Sequence, residues 1–217
     1  MYRLLSFLSI LVLLSSCTIQ ENIHFNADFS GSYKIQVDMS ALMEFGAAMA
    51  DSTAEAPQTA MFTQEQLDSI ALEMAAINGL SNFNITEENY VLNMSMDFAD
   101  VNVFADMDLM ALSAEETTKP SKPRFELDGK NLIYNFDADY IKNALGQGEE
   151  GAETEDDTGM NEMFNFQTVL TFDKPVDKVK SKIGEYNADS KEVVFNYNLK
   201  QAIEESKDWT TTISLGK

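Results

Sequence analysis

Strict alternation of apolar and polar residues constrains this chain more than any other feature of its sequence. Tyr90, Leu92, Met94, Met96 and Phe98 occupy every second position, which in an extended strand puts all five side chains on one face. Ile23 and Phe25 share a face in the same way, and after the turn Asp28-Phe29-Ser30-Gly31 so do Tyr33, Ile35 and Val37, so a hairpin is expected there. Phe83 and Ile85 suggest a further strand. Phe125 and Leu127 lead through Asp128-Gly129 to Leu132, Tyr134 and Phe136, a second hairpin. Strands are also expected at 166–172, 176–183, 193–199 and 209–215, with a turn at Asn187 and a helical turn before the last strand.

Helical spacing interrupts this pattern. Thr63 and Gln66 fit a capping box, Leu67, Ile70, Ala71, Met74 and Ile77 form one apolar stripe, and Asn78-Gly79 stops the helix. Shorter helices are expected after Ser40 (Leu42, Met43, Phe45, Ala47), after Asp100 (Val101, Phe104, Ala105, Leu109, Leu112) and at Tyr140, Ile141 and Leu145. Segment 115–123 reads as a linker, and the acidic segments 51–60 and 147–159 read as solvated loops. This order implies a single α+β domain over 23–217: a largely antiparallel sheet built from hairpins, with several short helices packed on one face.

The N-terminal residues carry a different signal. Arg3, an apolar run over 4–14 broken by Ser6 and Ser9, and small residues before Cys17 have the three-part layout of a secretory signal. As a helix the run would reach about 16 Å at 1.5 Å per residue, too short for a bilayer core of roughly 30 Å. Leu14-Ser15-Ser16-Cys17 resembles the bacterial lipobox, and Cys17 is the sole cysteine. The resemblance implies that residues 1–16 are removed, that the Cys17 sulfur carries diacylglycerol, and that an acyl chain such as palmitate completes a stable anchor. Residues 17–22 are then a short lipid-anchored tether. Thr18 is not the aspartate that retains some lipoproteins at the inner membrane, which favours the outer membrane; whether the protein faces the periplasm or the surface stays open.

With Arg3 removed, 14 basic residues stand against 36 acidic ones, a net charge of −22. Nucleic acid and anionic headgroups attract proteins through Lys and Arg, so nucleic-acid binding is excluded as a function class. Lys178, Lys180 and Lys182 are the exception: they alternate, placing three ammonium groups on one face of a strand, either as a surface for lipid or a partner or as protection for a sheet edge.

Several motifs resemble the domain of LppM-type bacterial lipoproteins: Phe29-Ser30-Gly31-Ser32-Tyr33 and Val37-Asp38-Met39-Ser40-Ala41-Leu42 behind the lipobox, a helix ending at Gly79, Phe98-Ala99-Asp100-Val101, and Leu170-Thr171-Phe172-Asp173-Lys174-Pro175-Val176. The resemblance implies an envelope-attached α+β domain whose mycobacterial relatives are associated with envelope glycolipids and host interaction. It brings no catalytic residues.

Chemistry is sparse in the residues themselves. His24, opposite the Ile23 and Phe25 face, is expected to be exposed, and a single histidine with Cys17 committed to lipid excludes Ser-His-Asp, Cys-His and His-based zinc sites on composition. Acid pairs such as Asp106 with Asp108 or Asp137 with Asp139 are expected in so acidic a chain. Asp97, Asp100, Asn102, Asp106 and Asp108 lack the glycine and terminal Glu of an EF-hand and read as capping residues. Met94 and Met96 would make a pliable interior. No cofactor motif is present. The favoured reading is a non-enzymatic envelope lipoprotein, tethered to membrane lipid, that binds a lipid, a glycolipid or an envelope protein. The alternatives are a carboxylate-based glycan hydrolase, with Trp209 as its one tryptophan for stacking, and a structural or assembly accessory.

Overall fold

A computed structural model describes residues 17–41, 43, 60–106, 122–137, 164–182, 185–189, 191–205 and 209–216. The signal segment, both acidic loops apart from Ala60, and the helix expected around 140–145 lie outside the described residues.

Alternation is realised almost everywhere it was read. β1 (Cys17–Phe25) and β2 (Gly31–Asp38) form the first hairpin, and β3 (Leu80–Glu88) and β4 (Val91–Phe98) the next. β5 (Phe125–Asp128) and β6 (Asn131–Phe136) close around Gly129, whose positive φ of 62° suits a turn glycine. They are followed by β7 (Phe164–Phe172), β8 (Val176–Lys180), β9 (Glu185–Asp189), β10 (Glu192–Asn198) and β11 (Trp209–Leu215). Helices α1 (Gln64–Ala75), α2 (Val103–Asp106) and α3 (Leu199–Glu205) complete the described elements.

The α+β expectation is corrected here. More than half of the described residues lie in strands, arranged as two sheets with three short helices among the described residues, and no layer of helices covers one face. Strands claim residues that local reading gave to other states. Residues 17–22, expected as a tether, belong to β1, and Asn187, expected in a turn, lies in β9. The longer sheet runs β3-β4-β2-β1-β7-β10-β9 and the shorter β5-β6-β11-β8. β1 pairs with β7 in parallel, Cys17 opposite Phe164 and Phe25 opposite Phe172, whereas the other described pairs are antiparallel.

The two sheets face each other across an aromatic core. Phe25 meets Phe125 at 5.5 Å between ring centroids, Tyr134 meets Phe195 at 5.6 Å, and Phe136 meets Tyr197 at 4.7 Å. Each such pair contributes about 0.5–1.5 kcal/mol beyond the area its two rings bury. α2 sends Phe104 between the sheets, 5.1 Å from Phe98 and 5.0 Å from Phe125. α3 buries Leu199 and Ala202 against β10 and β7.

α1 packs on β3 and has the expected capping box: Thr63 Oγ1 accepts from Gln66 N, and Gln66 Oε1 accepts from Thr63 N. At Gly31 the chain comes so close to β1 that a Cβ would lie 1.8 Å from the His24 carbonyl oxygen, so only glycine fits. Among the described residues no helix is long and apolar enough to cross a membrane.

Candidate functional site

Two polar constellations interrupt this architecture, one inside the sandwich and one on its outer surface. The internal one is built on Glu21, an inward position of β1 between Ile19 and Ile23. Arg124, just before β5, donates from Nη2 to Glu21 Oε2. Tyr33 OH donates to Oε1 at 2.7 Å and Thr168 Oγ1 to Oε2 at 3.1 Å. Asn135 fixes the segment that carries the arginine: its N–H donates to the Arg124 carbonyl at 2.9 Å, and its Nδ2 donates to the Pro123 carbonyl and to Glu126. The guanidinium lies 5.5–6.0 Å from the centroids of Tyr33, Phe125 and Tyr134.

Burial alone would raise the Glu21 carboxyl, but the Arg124 guanidinium and the hydrogen bonds from Arg124, Tyr33 and Thr168 outweigh it and leave the carboxyl below its ordinary value. Arg124 is held well above its ordinary value by Glu21 against the opposing effect of burial, and burial pushes the phenols of Tyr33, Tyr134 and Tyr197 up. With side-chain exposures of 10% for Glu21 and 23% for Arg124, this is a fastened ion pair rather than an acid with a proton to trade.

The external constellation is a groove of about 420 Å³ on the outer face of the longer sheet, at its Cys17 end. β1 supplies Thr18 and Gln20, β7 supplies Asn165 and Gln167, β10 supplies Asn196 and Asn198, and Gln201 of α3 closes one side. Strand alternation brings these residues together, since each lies opposite in parity to the buried residues of its own strand. Gln20 Nε2 donates to Gln167 Oε1 at 2.7 Å, and Gln167 Nε2 donates to Asn196 Oδ1 at 3.0 Å. Six primary amides and the Thr18 hydroxyl thus line the groove together with Phe166 and Tyr197, and none of these residues is charged. Such a surface offers paired donors and acceptors to an uncharged, hydroxyl-rich ligand.

The residues singled out in the sequence are scattered. Cys17 begins β1 with its side chain turned inward, 1% exposed, where burial and then the Asp38 carboxylate raise the thiol. Lys178 and Lys180 stand on the outer face of β8, opposite Ser214 and Thr212, and Lys182 is exposed just past the strand. β8 is an edge of the shorter sheet, the position at which lysines discourage pairing with another chain. None of the three lines the groove.

His24 is half-exposed on the outer face, its Nδ1 3.0 Å from Thr171 Oγ1 and its Nε2 3.4 Å from Asp173 Oδ1. One histidine is therefore enough to assemble a hydroxyl–imidazole–carboxylate row, contrary to the composition argument. Thr171 directs its hydroxyl to the Ile23 carbonyl at 3.4 Å, and the array serves to tie β1 to β7.

Asp100 caps the turn into α2 by accepting from Asn102 N, and Asp97 accepts from Asn82. Among the described residues no three His, Cys, Asp or Glu side chains converge as a metal site. Asp108 and Asp139 lie outside the described residues. Met94 and Met96 are core residues of β4, and Trp209 is buried against Phe136 and Tyr197, where it has no face to offer a sugar.

Neither the ion pair nor the amide groove was singled out from sequence. Both had a signal: Arg124 is the sole arginine after Arg3, Glu21 occupies an inward parity, and Asn and Gln recur at the outward positions of three strands.

No protein-family model matches this chain. No curated protein matches it either. Among solved structures, it is similar to the folded domain of the Mycobacterium tuberculosis LppM protein, determined by NMR, with a TM-score of 0.44 and 8% identity over 93% of this chain and 91% of that one.

Proposed function

We propose that this chain is a membrane-tethered envelope lipoprotein that acts by binding, and that the amide-lined groove takes the uncharged polar headgroup of a lipid or glycolipid. The observation that supports this reading is the groove's neutrality in so acidic a protein. With 36 acidic residues in the chain, a described concavity lined by Asn, Gln and Thr together with Phe166 and Tyr197, and by no charged residue, is suited to sugar hydroxyls and unsuited to phosphate or to a cationic partner.

The second support is position. Thr18 lines the groove one residue from Cys17, so an anchor on that sulfur delivers the groove to the bilayer surface. In the lipidated form the sulfur lies outside the core. Residue 17 then leaves its inward position, while the pairing of Thr18 with Asp38 and Asn165 keeps β1 in register.

Two measurements test the reading. In a bacterial host, the full chain is expected to incorporate labelled palmitate and fractionate with membranes, whereas Cys17→Ser is expected to stay unprocessed and unlabelled; equal labelling of the two removes the anchor. Native mass spectrometry of the detergent-extracted chain with a neutral diglucosyl diacylglycerol is expected to show a single adduct that Gln167→Ala abolishes. A clean apo mass after exposure removes the groove as a headgroup site.

A further inference from the structure

The groove is one end of a longer feature. Strand register sets Asn93 of β4 opposite Gln36 of β2, Gln36 opposite Gln20 of β1, Gln20 opposite Gln167 of β7, and Gln167 opposite Asn196 of β10. Five primary amides therefore stand in a single row across five adjacent strands, each on the outer face. With neighbouring strands about 4.8 Å apart, the row is roughly 19 Å long. Asn93, Gln36 and Asn196 are exposed, and Gln20 and Gln167 are half-buried.

No residue of the row itself is charged. Thr18, Asn165 and Asn198 flank it on one side, and Asn22 and Ser95 on the other; Lys34 and Asp38 lie one step to either side of Gln36, and Glu185 of β9 is the register partner that ends the neutral stretch. The internal bonds, Gln20 to Gln167 and Gln167 to Asn196, fix three of the amides against one another. A primary amide has two N–H donors and an oxygen with two lone pairs, so bonding to its neighbours leaves each with capacity directed away from the sheet.

We propose that this row is a binding track for an extended, uncharged, β-linked glycan, with the groove holding one end of the chain. The inference rests on reading the groove as a site for an uncharged polar ligand and specifies the ligand as a polymer rather than a single headgroup. A β-linked glycan is a ribbon that presents hydroxyl or acetamido groups at every sugar, a repeating ligand for a repeating row of donors and acceptors. Anionic polymers are repelled by the acidic remainder of the chain. No single amide binds strongly, and affinity accumulates with the number of sugars seated.

The test uses the full chain in detergent and N-acetylglucosamine oligomers of two and six residues, titrated by calorimetry. The hexamer is expected to bind at least tenfold tighter than the dimer. Gln36→Ala and Asn93→Ala change exposed residues outside the groove; each is expected to weaken the hexamer toward the dimer's affinity, leaving dimer binding and the melting temperature unchanged. Equal affinities of the two oligomers for the unsubstituted chain, or a hexamer affinity indifferent to both substitutions, overturns the track while the groove stands. Failure of both oligomers to bind also overturns the track, and the glycolipid adduct seen by native mass spectrometry then decides the groove separately.

Discussion

Replacing Arg124 by methionine removes the guanidinium while keeping much of its length, so the perturbation falls on Glu21. That carboxylate is 10% exposed, and its remaining donors would be the Tyr33 and Thr168 hydroxyls. Breaking a buried pair by deleting one partner costs about 3–5 kcal/mol. Because Arg124 retains 23% exposure, the lower end applies, about 3 kcal/mol, or a fall in melting temperature of roughly 6–12 °C for a chain of this size.

The pH dependence distinguishes this mechanism from simple loss of packing. In the parent the Glu21 carboxyl is lowered, so its contribution is present above the unfolded carboxyl value and is lost as pH falls through the folded one. Without Arg124, burial dominates and the folded value rises above the unfolded one, so the variant is penalised increasingly as pH climbs through that interval. The difference between Arg124→Met and parent, measured by urea unfolding, is therefore expected to be larger at pH 7 than at pH 4. The double variant Glu21→Gln with Arg124→Met is expected to recover much of the loss at pH 7. A single variant within about 1 kcal/mol of the parent, or one whose deficit does not change with pH, would refute the assignment of an ionised Glu21 that depends on Arg124.

Three further outcomes follow from local geometry. Gly31→Ala drives a methyl group into the His24 carbonyl and is expected to cost the top of the ~1–3 kcal/mol overpacking range or more, seen as a lower urea midpoint or loss of soluble protein. Thr63→Ala removes the N-cap acceptor of α1 and is expected to cost about 1 kcal/mol, with faster hydrogen exchange confined to the helix's first turn. In unlipidated chain, iodoacetamide is expected to label Cys17 on the order of tenfold more slowly in the folded protein than in urea, since the thiol is buried and raised; equal rates would show that residue 17 is not seated in the core.

How far the sequence disclosed this fold depends on the range of the interactions involved. Leu92 to Phe98 and Tyr33 to Val37 form strands because their alternation is local, and α1 begins at Thr63 because its capping box spans three residues. β1 was read too short because Glu21 breaks the apolar face, and its partner Arg124 is 103 residues away. β9 pairs with β10 through backbone hydrogen bonds, which leave little trace in residue type. Helical spacing after Asp100 gave weight to a helix of which the described part is the single turn Val103–Asp106. The groove was missed for a related reason: Gln20, Gln167 and Asn196 are unremarkable outward residues individually, and register alone makes them neighbours.

The parallel seam between β1 and β7 also orders events during synthesis. Gln20 and Gln167 are 147 residues apart, so the half-sheet β3-β4-β2-β1 is complete in the nascent chain long before residues 164–172 have been made. Until then the strand destined for the middle of the sheet is an open border, with Ile19, Ile23 and Phe25 beside unpaired backbone. The central joint cannot close until β7 has been made, and a holdase chaperone or a rival strand that reaches that border first determines whether the molecule is ever finished.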